Sequence, residues 1–485
     1  MNLLFLLLVP FSAQDGAPPA DEPIAPADEQ QEDVHPPELE PDAGAEPHKA
    51  WKWTSANGLR YTWVLPKGYA PDAPRDLVLI CHGTGLDYRW GSANYPPGEF
   101  RPDDVVISVD GPLEGPGDTR LFANSFDNIK EARVLRDFLV ELRDRFAVRR
   151  VFLYGHSQGG FFVVYFAGTY PELVDGVVAH ASGHWNYTQD DTGLNHIPLA
   201  FVHGTADPVV PFANSFGSRE HLVEKRRFKL CRLLRLPGYS HWPSVGAASA
   251  CLDWCRGMRT EDRNEALAAA RAILAPQAAD SVTRYAAPVA FAMAYDVLCR
   301  LEGPSPVPFQ DVPRGLLREV RAEKERVNKH AALHVKKLSK QFNSPDDLRL
   351  DGKLWLGYLA AFREDFRGVD AAEEYFRKLD YDAQFARQRE AAAKINQVYY
   401  EEGADGDQPR DVKPVFRTVV EQLPDAFLFE AYPVDLPRQM EDWYAQAAQW
   451  KIPRDALDQY PNFVAWRKAW EDGAKAYAEA LKEWK

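Results

Sequence analysis

One short segment restricts the folds open to this chain more than any other. A strand-like apolar run at 150–154 leads into Gly-His-Ser-Gln-Gly, in which the serine is Ser157, and an apolar helical pattern follows. Glycines two residues before and after a serine permit the tight strand-to-helix turn that holds its hydroxyl above a sheet. We therefore predict that Ser157 is a nucleophile, against the alternative of an ordinary serine in a glycine-rich turn.

Strand-like and helical patterns alternate from residue 51 to about 258. Helical stripes with a 3.6-residue period occupy 128–146 and 161–170. The apolar runs lie at 59–65, 77–81, 105–109, 150–154, 173–179, 198–203 and 229–236. This alternation predicts an α/β fold with a mainly parallel central sheet, in which ligands bind beyond the carboxyl ends of the strands.

A serine hydroxyl becomes a good nucleophile only when a base takes its proton. His241 is the predicted base, because it follows the last apolar run in a loop bounded by prolines, and Asp207, after the run at 198–203, is the predicted orienting acid. Nucleophile, acid and base follow one another along the chain in the order serine, aspartate, histidine, which is the order typical of the predicted α/β fold. Alternatively, Asp207 caps a helix, and the weaker acid candidates are Asp175, Asp190 and Asp191.

Two backbone N–H groups are predicted to stabilise an oxyanion near Ser157. One belongs to Gln158, at the start of the helix that follows the serine, and the other to Thr84, in the His-Gly-Thr-Gly loop after the run at 77–81. The histidines beside these two loops, His82 and His156, are predicted to be structural.

Taken together, these motifs resemble the α/β-hydrolase superfamily. The matching strings are Tyr61-Thr-Trp-Val-Leu-Pro-Lys-Gly-Tyr69, His82-Gly, Gly155-His-Ser-Gln-Gly159, His203-Gly-Thr-Ala-Asp-Pro-Val-Val-Pro211 and His241-Trp-Pro243. Within that superfamily they look like the branch of polyhydroxybutyrate depolymerase-like, feruloyl and acetyl-xylan esterases. The resemblance spans about 51–258 and implies an α/β-hydrolase fold that hydrolyses carboxylic esters through an acyl-enzyme; Thr84 stands where many relatives carry glycine or cysteine.

The segments outside this region are predicted from composition. Residues 1–13 contain a short apolar run typical of a signal peptide, so we expect a secreted or periplasmic protein, and 14–48 form a disordered linker rich in proline and acidic residues. After residue 260 only helical patterns remain, so 260–485 is predicted to be an all-α region whose role the sequence leaves open. Its tryptophans favour a helical core over a sugar-stacking surface.

Charge and cysteine content limit the partners and cofactors. The formal net charge of −14 disfavours nucleic acid, and no cofactor or metal site is predicted, because the five cysteines lack a zinc pattern with neighbouring histidines. We expect a small-molecule or polymer-linked ester as the substrate. The alternatives are a serine peptidase on the same fold, or a binding protein with a vestigial hydrolase domain.

Overall fold

The computed structural model describes residues 48–344, with gaps at 71, 116, 118, 123–128, 185–196, 276–288 and 341, then 359, 362–383 and a few isolated positions beyond. The predicted signal peptide at 1–13 and the predicted linker up to 47 lie outside the described residues, as does most of the region after 383. The chain divides into two compact units, with the division between 325 and 326.

The first unit is built on an eight-stranded sheet in the order β1-β2-β4-β3-β7-β8-β9-β10. The six strands from β4 to β10 in this order run parallel, and β2 and β1 add an antiparallel edge. The strands are β1 (Trp51–Thr54), β2 (Arg60–Val64), β3 (Arg75–Cys81), β4 (Val105–Val109), β7 (Val148–His156), β8 (Gly176–His180), β9 (Leu199–Gly204) and β10 (Cys231–Leu236). A separate hairpin contains β5 (Leu113–Glu114) and β6 (Arg120–Leu121).

Helices follow the parallel strands and cover the sheet. The central strands are almost entirely buried, as expected for a parallel sheet with helices on both faces. The helices of this unit are α1 (Arg89–Asn94), α2 (Ile129–Arg145), α3 (Gln158–Thr169), α4 (Ala213–Glu220), α5 (Val245–Arg259), α6 (Arg263–Leu274) and α7 (Phe291–Leu301). The last three pack against one another, and α5 also packs on β8 and β9. The architecture confirms the predicted α/β fold with a mainly parallel sheet.

Charged side chains join α5 and α6 to the amino ends of the parallel strands. The carboxylate of Asp76 is fully buried at the start of β3, 2.7 Å from the Arg150 guanidinium and 3.0 Å from that of Arg256. Arg150 also pairs with Glu265 on α6. Burial alone would raise the pKa of Asp76, but its arginine partners hold that pKa below the usual value. These ion pairs connect helix α6 to the sheet, although α6 lies in the region after residue 260 that was predicted to be all-α.

Two element boundaries differ from the predicted ones for identifiable reasons. Strand β8 begins at Gly176 instead of 173, because Pro171–Leu173 form a 3-10 turn. Helix α3 begins at Gln158 instead of 161, since tertiary contacts around Gly159 and Gly160 override the poor helix propensity of glycine. The antiparallel strand β1 is an addition to the predicted set.

The second unit is described only in part. Helix α8 (Arg314–Leu338) contains the division between the units, and α9 (Asp370–Lys378) lies wholly in the second. The Tyr375 hydroxyl donates to the Phe342 carbonyl at 2.9 Å, and Phe362 packs against Phe366 and Phe376. Two very short strands, β11 (Ala404–Asp405) and β12 (Gln408–Pro409), pair antiparallel. Within the described ranges, no helix has the length and apolar character that a membrane span requires.

Candidate active site

Ser157 occupies a strained turn between β7 and α3. Its φ of 52° and ψ of −119° are rare for a residue with a side chain, and such conformations cost about 1–3 kcal/mol. The Ser157 N–H donates to the His180 carbonyl at 2.9 Å. A Cβ atom on Gly155 would lie 2.2 Å from the Gly159 carbonyl oxygen, and one on Gly159 would lie 2.3 Å from the Cys81 carbonyl oxygen. Both glycines are therefore needed for the turn to form.

The loop after β3 passes directly beside this serine. A Cβ atom on Gly83 would lie 3.2 Å from the Ser157 Cβ, and the Gly159 N–H donates to the His82 carbonyl at 3.1 Å. Thr84 is exposed in a turn closed by the Leu86 N–H, and in the described part of the chain its own N–H donates to no group. The loop therefore lies where a second oxyanion donor would be required.

His82 holds this loop in place. Its Nε2 accepts a hydrogen bond from the Gly111 N–H at 3.2 Å, so its Nδ1 carries the proton and donates to the Gly83 carbonyl at 2.8 Å. Burial lowers the pKa of His82 and keeps the ring neutral. Gln158, for its part, accepts the Phe122 N–H with its side-chain oxygen at 3.0 Å.

The carboxylate of Asp207 lies in the turn after β9 and is fully saturated with hydrogen bonds. Oδ1 accepts the N–H groups of Val209 and Val210 at 2.8 and 2.9 Å. Oδ2 lies 2.7 Å from Nδ1 of His241 and 3.1 Å from Nε2 of His203. Burial by itself would raise the pKa of Asp207, but the hydrogen bonds from His203 and His241 hold it well below its ordinary value. Asp207 is therefore ionised at neutral pH.

The loop after β10 reaches Asp207 because Gly204 has no side chain. A Cβ atom there would lie 2.3 Å from the Tyr239 carbonyl oxygen, and the Ala206 N–H donates to the same oxygen at 2.9 Å. Two residues later, His241 donates its Nδ1 proton to Asp207, so its Nε2 is left as an acceptor. Its ring also packs against that of His156, the neighbour of Ser157, with centroids 4.8 Å apart. The structure thus brings Asp207 and His241 together beside the turn that carries Ser157.

Two further histidines are buried beneath the site. The Nδ1 atoms of His156 and His180 lie 2.9 Å apart, so one ring donates to the other. Burial lowers the pKa of His180 to about 3 and that of His156 well below its ordinary value, so both rings are neutral. His156 also stacks between Trp90 and Trp242, with centroid distances of 4.9 and 6.3 Å.

His203 is a site residue to which the sequence analysis assigned no role. It is fully buried in β9, where its Nε2 faces Asp207 and its Nδ1 lies 2.7 Å from the Ser215 hydroxyl. The available signal was a histidine inside an otherwise apolar strand, four residues before the predicted acid. The other acid candidates do not meet His241: Asp175 pairs with Arg259 at 3.2 Å, and Asp190 and Asp191 lie outside the described residues.

Exposed apolar side chains adjoin the site. Trp242 is 45% exposed next to His241, and Val209 is 64% exposed two residues after Asp207. Only Val140 and Leu333 are comparable large exposed apolar residues in the described ranges. All five cysteines are buried and unbridged, and the described residues contain no group of His, Cys, Asp and Glu side chains arranged to hold a metal ion.

Comparisons with known proteins agree with this architecture. Residues 76–212 match the family described as the alpha/beta hydrolase fold. A protein of Bacillus subtilis (strain 168) named "Putative 2-succinyl-6-hydroxy-2,4-cyclohexadiene-1-carboxylate synthase" is 29% identical over 129 residues, which is 27% of this chain and 43% of that protein. The chain therefore spans less than half the length of this relative.

Several solved esterase structures are similar over part of the chain. Est1E from Butyrivibrio proteoclasticus is 17% identical, over 40% of this chain and 90% of its own, with a TM-score of 0.30. A CE1 ferulic acid esterase from Anaeromyces mucronatus, in complex with ferulic acid, is 16% identical, over 41% of this chain and 86% of its own, with a TM-score of 0.32. The family match, the sheet order and the turn at Ser157 together show that the first unit of this chain has the α/β-hydrolase fold.

Proposed function

We propose that the α/β-hydrolase domain hydrolyses carboxylic esters, with Ser157 as nucleophile, His241 as general base and Asp207 as the orienting acid. The observation that carries the proposal is the 2.7 Å hydrogen bond between His241 and Asp207, formed beside a serine with a φ of 52°. An imidazole fixed in this tautomer presents Nε2 to take a serine proton, and a buried carboxylate stabilises the imidazolium that results.

In the proposed reaction, the Ser157 oxygen attacks the ester carbonyl while its proton passes to Nε2 of His241. The tetrahedral oxyanion accepts hydrogen bonds from the backbone N–H groups of Gln158 and Thr84. Collapse expels the alcohol, which takes the proton from His241 and leaves an acyl group on Ser157. Water then attacks the acyl group, with His241 again as the base, and the carboxylic acid departs.

The exposed side chains of Trp242 and Val209 favour esters with an apolar group over small, fully polar ones, because such a group would cover both side chains on binding. A serine peptidase remains the alternative on the same fold. Measuring hydrolysis of matched ester and anilide substrates by the full chain separates the two, and we expect the ester to be cleaved and the anilide left intact.

The direct test is the Ser157→Ala variant assayed with 4-nitrophenyl acetate. We expect kcat to fall by several orders of magnitude, since the acyl-enzyme can no longer form. A fluorophosphonate probe should label the wild type at Ser157 and leave the variant unlabelled. A variant that cleaves the ester at the wild-type rate refutes the assignment, and a wild type that resists the probe favours a binding protein with a vestigial hydrolase domain.

We also propose that the protein is exported, on the basis of the apolar run at 3–9. The test is to fractionate cells that produce the full chain and to determine the first residue of the mature protein. A chain that stays in the cytosol and retains its first 13 residues contradicts export.

A further inference from the structure

His203 makes hydrogen bonds with both ring nitrogens although its side chain is fully buried. Its Nε2 lies 3.1 Å from Oδ2 of Asp207 and 2.8 Å from the Val210 carbonyl oxygen, both of which can only accept. Nε2 therefore carries a proton. The charge of the ring then depends on whether Nδ1 carries a second one.

The hydrogen bonds of the Ser215 hydroxyl indicate whether Nδ1 of His203 carries this second proton. The hydroxyl lies 2.7 Å from Nδ1 of His203 and 2.7 Å from the Ser182 carbonyl oxygen, and it has a single proton to give. Ser182 is fully buried, and among the described residues its carbonyl oxygen has no other donor. If Ser215 donates to Ser182, as the geometry has it, Nδ1 must donate to Ser215, and then the Ser215 hydroxyl, the Ser182 carbonyl and both ring nitrogens of His203 each have a partner. A neutral ring would leave a buried carbonyl without a donor, which is unfavourable because the carbonyl has lost its hydration.

Charge balance supports the same arrangement. The Asp207 side chain is fully buried and ionised, and an isolated buried charge is costly unless an opposite charge is close to it. The neighbouring His156 and His180 are neutral and cannot supply that charge. A protonated His203 compensates Asp207 before His241 accepts any proton.

We propose that His203 is a positioning residue that is doubly protonated at neutral pH, fixes Asp207 through the same oxygen that His241 contacts, and sets the pH range in which His241 acts as a base. This proposal rests on the proposed function. His203 and His241 both contact Oδ2 of Asp207. A positive charge on His203 therefore reduces the electrostatic stabilisation that Asp207 gives to a protonated His241. His241 therefore stays unprotonated, and able to act as a base, to a lower pH than Asp207 alone would allow.

Other titratable groups lie on the elements packed against β9, and a substitution of His203 leaves all of them in the chain. They include His180 on β8, Arg235 on β10, Arg219 and Glu220 on α4, and Asp253, Arg256 and Arg259 on α5, together with His156 and His241 near Asp207. A shift caused by substituting His203 alone can therefore be compared directly with the wild type.

The charge of His203 can be measured without any assay of activity. The full chain, labelled with ¹⁵N at its histidines, is studied by long-range ¹H–¹⁵N correlation at pH 7.5, and the His203 signals are those that His203→Gln removes. An imidazolium gives two ring nitrogens with similar shifts, whereas a neutral ring gives widely separated ones. Similar shifts support the proposal and separated shifts overturn it, whether or not the protein proves to be an esterase.

The effect on His241 is measured from the pH dependence of kcat/KM. In the pH profile, the acid limb is the range in which kcat/KM falls as the pH is lowered. In His203→Gln an amide can still donate to Asp207, but the positive charge is gone, so we expect the midpoint of the acid limb to move up by about one pH unit. Ser215→Ala removes the acceptor of the Nδ1 proton and should move the limb in the same direction, which keeps the test available if His203→Gln does not fold. A shift under about 0.3 pH unit in every variant that folds overturns the role in setting pH.

Ser218→Ala is the matched control for Ser215→Ala. Ser218 is a buried serine on the same helix, α4, but its hydroxyl accepts the His184 N–H at 2.9 Å instead of contacting His203. We expect its acid limb to coincide with that of the wild type. If Ser218→Ala shifts the limb as much as Ser215→Ala does, the effect belongs to the packing of α4 and the proposal fails.

Discussion

The Nδ1 atom of His241 lies 2.7 Å from Oδ2 of Asp207, although 34 residues separate the two along the chain. Gly204 makes this approach possible, because the loop before His241 passes over it at a distance that leaves no room for a side chain. The hydrogen bond fixes both the tautomer and the orientation of the imidazole. Removing this hydrogen bond therefore tests how strongly activity depends on the orientation of His241.

We expect Asp207→Asn to lower kcat by about three to four orders of magnitude, because an amide can donate to Nδ1 and so favours the wrong tautomer of His241. Steady-state kinetics with 4-nitrophenyl acetate measure the loss. Asp175→Asn is the control, since Asp175 pairs with Arg259 and does not contact His241. Equal losses in the two variants would mean that the fall reflects folding and not the orientation of His241.

The stability of the hydrolase domain should fall as the pH drops from 7.5 to 5. His180 is fully buried with its pKa lowered from 6.5 to about 3, so between these values the unfolded chain binds a proton that the folded chain excludes. Stability from this group is therefore present above pH 6.5 and lost as the pH falls toward 3, by about 2 kcal/mol between pH 7.5 and 5. Urea denaturation at the two pH values measures the change. The matched variant His180→Gln should depend less steeply on pH, and an equal slope would contradict this origin.

Gly159→Ala should disrupt the turn at Ser157, because the added methyl group would meet the Cys81 and His82 carbonyl oxygens at 2.3 and 2.4 Å. We expect a loss of about 2–4 kcal/mol in unfolding free energy and of fluorophosphonate labelling. Gly217→Ala, in the helix α4, is the control: no atom lies within 4 Å of its added Cβ, and it should be neutral or stabilising by about 0.5–1 kcal/mol. If the two variants behave alike, the close contact at Gly159 is not what the turn requires.

Trp242→Ala should raise KM for esters with a large apolar group by about fivefold while changing kcat little, because a stacked indole contributes on the order of 1 kcal/mol to binding. Acetate and naphthoate esters of 4-nitrophenol, compared in one assay, measure the difference. Val140→Ala removes another exposed apolar side chain, on α2, and should leave both KM values unchanged. A selective loss of kcat in Trp242→Ala would instead assign the indole to the alignment of His241.

Local patterns were sufficient to predict most of the sheet. The run at 105–109 coincides with β4, and β3, β7, β9 and β10 differ from the predicted runs by a few residues at their ends. Buried parallel strands are continuous apolar runs, which a single sequence displays directly. The pairing of β1 with β2 at the antiparallel edge depends on contacts between segments, and so it was not predicted.

The site shows the same division between local and nonlocal information. Motifs around Ser157, Asp207 and His241 can be found because glycine, proline and the strand ends mark their loops along the chain. His203 is marked only by being a histidine in an apolar strand, and its importance comes from Ser215 and Ser182, which are contributed by two other segments. A buried polar residue acquires its role from partners that only the folded chain brings together.

The crowding around Ser157 separates positions that tolerate variation from those that do not. At residues 83, 155 and 159 even one added carbon would press against the neighbouring loop or turn, whereas the side chains of Thr84, Val209 and Trp242, on the loops of the site, are exposed. A library that randomises only these three outward residues should therefore sample new substrate preferences while the turn carrying the serine stays intact.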